Sequence, residues 1–409
     1  MTTKHAKINK KTAIFLVISN MIGTGVFTSL GFQLSNTENV LAIILIWFLG
    51  GVLAIIGALT TAELGTIFKV NGGDYIFILN GIGKSWAFVS AFVSIFIAFI
   101  ATASINALAM EAYLAPFDIP NLRLYIIGFI LLITFIHSLS VNHGSRLQDI
   151  TTWFKIFFII VLIGLGIYYA PTPNSVFNTA KQTLVESMNL SMAMNLLYVN
   201  FAYIGWNAAV YLAADLENPR KNLPFALIIG TSVVTIIYIL FQIVMLNMAS
   251  KAQLVNQADV TLIAFRNYVS PTAIKFISAG IGLQLLATMS AFIWIGSRIL
   301  QSMGEKFYIC KYFSKQNNKG IALRSLWFNG LTIIIVMYFG SLKQILISTS
   351  FILQFTATLV IVSYFRIKKP ADRFKSPWSP YIQIIFVCIN FGFLIINLVN
   401  DFKQTYIGF

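Results

Sequence analysis

Apolar runs of roughly 20 residues, separated by short polar stretches holding Gly, Pro, Asn and Lys, follow one another along the whole chain. A helix of that length crosses the roughly 30 Å of bilayer hydrocarbon. Reading run length and punctuation gives spans at 12–33, 40–66, 85–113, 123–142, 150–170, 191–213, 223–248, 271–300, 323–340, 343–366 and 379–400. Lipid offers no hydrogen bonds, so each run has to satisfy its own backbone as a helix. The pattern predicts an all-α polytopic membrane protein with eleven transmembrane helices.

Two of these runs are interrupted near their middle. The first contains Asn20-Met21-Ile22-Gly23-Thr24-Gly25-Val26-Phe27, and the sixth contains Phe201-Ala202-Tyr203-Ile204-Gly205-Trp206. Backbone freed by unwinding at membrane depth is tolerated where it faces a cavity, water or a ligand. The half-helix after such a break presents unpaired N–H groups and a positive dipole end, which suit a carboxylate. Taken alone, Gly23 and Gly25 have a second reading, as a close-packing face between helices. The interrupted spans lie five apart, and paired breaks in corresponding halves point to a secondary transporter with its site at the repeat interface.

Composition narrows the class. The chain is 409 residues, 58% hydrophobic and only 10% charged, which excludes a soluble domain. The net charge of +15 is not a nucleic-acid footprint, because the basic residues cluster in alternate loops. They fall at Lys4, Lys7, Lys10 and Lys11, at Lys306, Lys311, Lys315, Lys319 and Arg324, and at Arg366, Lys368, Lys369, Arg373 and Lys375. The expected N-terminus is therefore cytoplasmic, and eleven spans leave Phe409 on the outer side. The first apolar run lacks a small-residue cleavage site and reads as a retained span. Cys310 and Cys388 show no metal-binding spacing, and no disulfide, metal or cofactor is expected. The histidines, His5, His137 and His143, form no zinc motif, and no Gly-x-Ser-x-Gly lies in a span, which argues against an enzyme. A channel would need a filter sequence, and none is present; a membrane sensor on a transporter scaffold is the reading left from another class.

The residues resemble a known family. Ile22-Gly23-Thr24-Gly25-Val26-Phe27 is similar to the first-helix signature of the amino-acid, polyamine and organocation transporter superfamily, closest to its L-type amino-acid transporter branch and bacterial relatives. Further support comes from Ala62-Glu63-Leu64-Gly65-Thr66 with Gly72-Gly73-Asp74-Tyr75, and from Gly144-Ser145-Arg146-Leu147-Gln148-Asp149 leading to Lys155. The sixth-span stretch through Asn207, the segment from Glu217 to Pro224, and the proline-punctuated basic loop 366–380 complete the likeness. The resemblance implies a LeuT-type five-plus-five inverted repeat with discontinuous helices 1 and 6. It divides the chain into a first repeat (1–170), an extracellular connection (171–190), a second repeat (191–366), and a basic cytoplasmic loop with an eleventh helix (367–409). Family members usually have twelve helices; the twelfth would begin near 401 and is expected to be missing, which puts in question any dimer contact made through it.

By the same resemblance, the amides of Gly23, Thr24 and Gly25 and the Thr24 hydroxyl would hold a substrate carboxylate. Carbonyls of Met21 and Ile22, and of Phe201, Ala202 and Ile204, would meet its ammonium. Phe201 would close over the substrate from outside, and Asn207 would lie near the pocket. Ile204 departs from the glycine or acid found there in other members, so a neutral substrate of small to medium size is expected. Lys155 has two readings. It snorkels to the surface, or it substitutes for the sodium ion of sodium-coupled relatives and could release a proton. Glu63, deep in the second span, reads as partner of a cytoplasmic Arg or Lys holding an inward gate. Asp215, Glu217, Arg220 and Lys221 read as a solvated loop, with Asn218-Pro219 turning into the seventh helix.

The expected function is sodium-independent transport of neutral L-amino acids by alternating access, as an exchanger, with proton symport as the alternative. Animal members of the family join a glycoprotein through a cysteine between the third and fourth helices. Loop 114–121 here has none, so no disulfide-linked heavy subunit is expected. Membrane lipid and the amino acid are the expected partners, and a bacterial inner membrane is the expected location.

Overall fold

The computed structural model describes residues 8–35, 37, 39–70, 72–139, 141–169 and 191–400. The connection 171–190, residues Lys4 and Lys7, and the stretch 401–409 where a twelfth helix would begin lie outside the described residues, as do the side chains of 141–148, 191–193 and 400. Among the described residues, ten helices are long and apolar enough to cross a membrane. The expected ninth span is the shorter apolar helix Leu323–Phe339, whose 17 residues sit at the low end of spanning length.

Both predicted interruptions are present. The first span is split into Lys10–Met21 and Thr24–Gln33, with Ile22 and Gly23 in extended backbone between them. The sixth runs as Ser191–Tyr203, turns over residues 204–207, and resumes as a 3-10 helix, Ala208–Asp215. Gly205 sits at φ +106, a region that disfavours side chains, which is why the turn falls on a glycine.

Burial sorts the spans into layers. In the most apolar stretch of each span, 94% of the residues are buried in the first and 78% in the eighth, against 28% in the fourth and the eleventh, so the broken first helix is central and the latter two are peripheral. The second span packs along the seventh, the first lies against the fifth and seventh, and the third against the eighth.

Some elements depart from the sequence reading. The eighth helix extends to Lys306, beyond the expected 300, because neither Gly304 nor any proline stops it before Phe307. The seventh begins at Pro219, whose fixed φ suits a first helical position, with Asn218 left-handed before it. The stretch between the second and third spans contains an unpredicted helix, Asp74–Gly81, entered through Gly72 and Gly73 at φ +130 and +67. A π-helical segment, Ser94–Ala101, lies within the third span. Ile8 pairs its backbone with Asp215 and Glu217, tying the start of the first span to the loop after the sixth.

Candidate functional site

At the first break, Ile22 ends one half-helix and Gly23 caps the next. The first N–H groups of a helix have no partners within it. Here the Thr24 N–H donates to Asn106 Oδ1 of the third span at 3.3 Å, and the Thr24 hydroxyl is buried without a partner among the described residues. Both glycines line a small cavity with about 220 Å3 of space including its mouth, but they meet different neighbours. A methyl on Gly23 would stand 3.2 Å from Thr288 and 3.3 Å from Asn106. On Gly25 it would lie 2.3 Å from Ala202 Cα, so Gly25 lets the halves of the first and sixth spans meet backbone to backbone.

Lys155, fully buried, reaches inward from the fifth span to this break and does not snorkel. Its ammonium donates to Ser19 O at 2.7 Å, Ile22 O at 3.0 Å, Ser19 Oγ at 3.1 Å and Thr288 Oγ1 at 2.7 Å. The single Thr288 hydroxyl hydrogen has two acceptors in reach, Ile22 O at 2.9 Å and Gln284 O at 3.0 Å. The Lys155 side-chain nitrogen is thus held at the break by oxygens of the first and eighth spans.

The second break rests on the first. A methyl on Gly205 would come within 2.7 Å of the Asn20 carbonyl carbon. Tyr238 of the seventh span clamps both stretches, its hydroxyl donating to Met21 O and, at 3.1 Å, to Ala202 O. The Phe201 carbonyl accepts from the Ile204 N–H within the turn at 3.1 Å. Phe201 packs with Phe32, Ile105 and Tyr198 in an apolar cluster beyond the break, while half-buried Ile204 borders the small cavity.

Ile204 borders a second, larger cavity too. This one has about 900 Å3 of space including its mouth, and it lies toward the face from which the first span starts. Asn207 points into it and donates to Asp74 Oδ2 at 2.7 Å; the Tyr211 hydroxyl donates to the same oxygen at 3.1 Å. Glu63 lies in neither cavity. Its carboxylate accepts from Arg373, from the Tyr364 hydroxyl at 3.2 Å and from the Ser376 N–H at 3.0 Å, binding loop 366–380 to the second span.

The break residues therefore converge, and the comparison with known proteins gives them a setting. The model of the amino acid permease family matches residues 8–406. The chain belongs to the amino acid permease family. This bears out the resemblance to the amino-acid, polyamine and organocation superfamily and its L-type branch, and with it an all-α multi-pass permease. The permease is 26% identical to the mouse b(0,+)-type amino acid transporter 1 over 99% of its own length and 85% of the relative's. It is 27% identical to the human cystine/glutamate transporter, over 98% and 82%. It is also 27% identical to the human large neutral amino acids transporter small subunit 2, over 71% and 58%. Amino acid transport is the activity these findings support for the chain.

Sequence reasoning missed five side chains that organise the permease's two breaks. Ser19, Asn106 and Thr288 carry a legible signal, since each is polar inside an apolar span. Tyr238 is one aromatic among many and carries none. Asp74 appeared only within a motif after the second span and was given no role.

Proposed function

We propose that this permease exchanges neutral L-amino acids of small to medium size, without sodium, across a bacterial inner membrane with its N-terminus in the cytoplasm. The observation that carries the reading is Lys155, whose ammonium fills, with four oxygens around it, the position where a coupling cation would bridge the first and eighth spans. A fixed charge there removes the need for a transported one.

The substrate carboxylate would lie on the amides of Gly23, Thr24 and Gly25, with the unpartnered Thr24 hydroxyl as a further donor. Its ammonium would use the remaining lone pairs of Met21, Ile22, Phe201, Ala202 and Ile204, with Ile22 O shared with Lys155. Phe201 would close the outer side, Ile204 would limit side-chain size, and Asn207 would line the path inward. Glu63, through Arg373, would hold the cytoplasmic loop as part of the gate. Residues 1–170 and 191–366 are the two repeats in this reading. Loop 114–121 has no cysteine, and the reading includes no disulfide-linked heavy subunit.

Purified permease in liposomes, given labelled alanine and leucine, tests this. Uptake that requires unlabelled amino acid inside the vesicle is the expected result. Uptake into empty vesicles driven by an inward proton gradient would overturn it in favour of symport.

A further inference from the structure

The larger cavity contains a charge that the exchange reading does not use. Asp74 is only 8% exposed, and its Oδ1 is buried with no donor reaching it among the described residues. Oδ2 accepts from Asn207, at the end of the second break, and from Tyr211, in the 3-10 half of the sixth span. The other titratable side chains lining the cavity are Tyr203 and Tyr211, and no Lys, Arg or His is among its described lining residues. The third and tenth spans also pack on helix Asp74–Gly81; Lys84 on the third is exposed and makes no ion pair with Asp74.

A buried carboxylate with no cation beside it is costly, and taking up a proton relieves that cost most directly. Burial pushes the Asp74 carboxyl up from 3.8 to about 6, against the hydrogen bonds from Asn207 and Tyr211, which favour the ionised form. Lys155 contrasts with it in its contacts, since four oxygens surround its Nζ.

We propose that Asp74 Oδ1 is a proton-binding site on the wall of the transport cavity, and that its proton loosens the inner half of the sixth span. The proton comes from water on the face where the cavity lies. Hydrogen bonds to an ionised acceptor are roughly twice as strong as neutral ones, so protonation weakens the hold on Asn207 and Tyr211 together. The contact is tight enough to transmit this: a methyl on Gly73 would fall 2.1 Å from the Tyr211 ring. The proposal rests on the cavity being the transport path, not on exchange as such.

Two measurements test it, using full-length permease. In the first, thermal unfolding in detergent is followed from pH 4 to 8. Because the folded-state value lies above the unfolded one, the folded protein holds the extra proton between about pH 4 and about 6, so wild type loses stability as pH rises through that window. Asp74→Asn, which mimics the protonated group, should lose that component. In the second, alanine counterflow is measured with equal pH on both sides. Wild type should run severalfold faster at pH 5 than at pH 8, with Asp74→Asn fast at both. Tyr211→Phe, which removes a donor to the ionised form, should move the wild-type midpoint to higher pH. An Asp74→Asn variant with the wild-type pH dependence in either measurement, or an unmoved midpoint in Tyr211→Phe, overturns the proposal. Absence of counterflow in wild type at every pH counts against exchange, and the unfolding comparison still decides the proton site.

Discussion

The two broken helices are built on opposite electrostatics. At the first, a lysine from the fifth span brings a cation to freed carbonyls and hydroxyls, and every part of that ammonium is engaged. At the second, an aspartate outside the spans brings an anion to Asn207 and Tyr211, and one of its oxygens has no donor among the described residues. A saturated charge fixes geometry, whereas an unsaturated one responds to its surroundings. On the proposed reading, the first break serves substrate and scaffold and the second serves movement.

Removing the saturated charge should have the largest effect. Lys155→Ala removes the donor that joins two carbonyls and two hydroxyls at the first break, and a buried acceptor left unpaired costs about 1–3 kcal/mol. Transport should fall about 100-fold, because each 1.4 kcal/mol is a factor of about ten. Initial rates of counterflow read this directly, and a rate within a few-fold of wild type would make the lysine a bystander.

The contact between the breaks comes next. Gly25→Ala forces a methyl toward Ala202 Cα at 2.3 Å, where backbone cannot yield as a side chain could. Overpacking of this kind costs about 1–3 kcal/mol, seen as a drop in unfolding temperature. Tyr238→Phe should cost less, about 1 kcal/mol, since one hydroxyl shared by Met21 O and Ala202 O is lost and the ring stays. If Tyr238→Phe proves the worse of the two, the hydroxyl clamp and not the close approach couples the breaks.

The breaks themselves were legible in the sequence, because glycine inside an apolar run at membrane depth has few explanations. Gly23 and Gly25 show how far that reading goes: both border the small cavity, and Gly25 is a packing contact against Ala202 as well, a neighbour no local pattern names. Lys155 was legible as an anomaly, a lysine inside a span, but its direction depended on Ser19 and Thr288, which lie 136 and 133 residues away in the chain. Asp74 was not legible as a site. It follows two turn-forming glycines, and its partners, Asn207 and Tyr211, are 133 and 137 residues distant. Tyr238 carried no local signal at all. Elements came from local periodicity, while the site came from pairings that no local pattern encodes.

The smallest expected effect concerns selectivity. Ile204 borders both cavities, so Ile204→Gly should leave alanine transport within about threefold while admitting aromatic competitors. An unchanged competition profile would remove Ile204 from the account of substrate size.

The most direct test of the central claim, that Lys155 supplies at the first break the charge an external cation would otherwise bring, is alanine counterflow in sodium medium against choline medium. The account predicts equal rates in the two. Counterflow that is absent in choline and restored by sodium would contradict it.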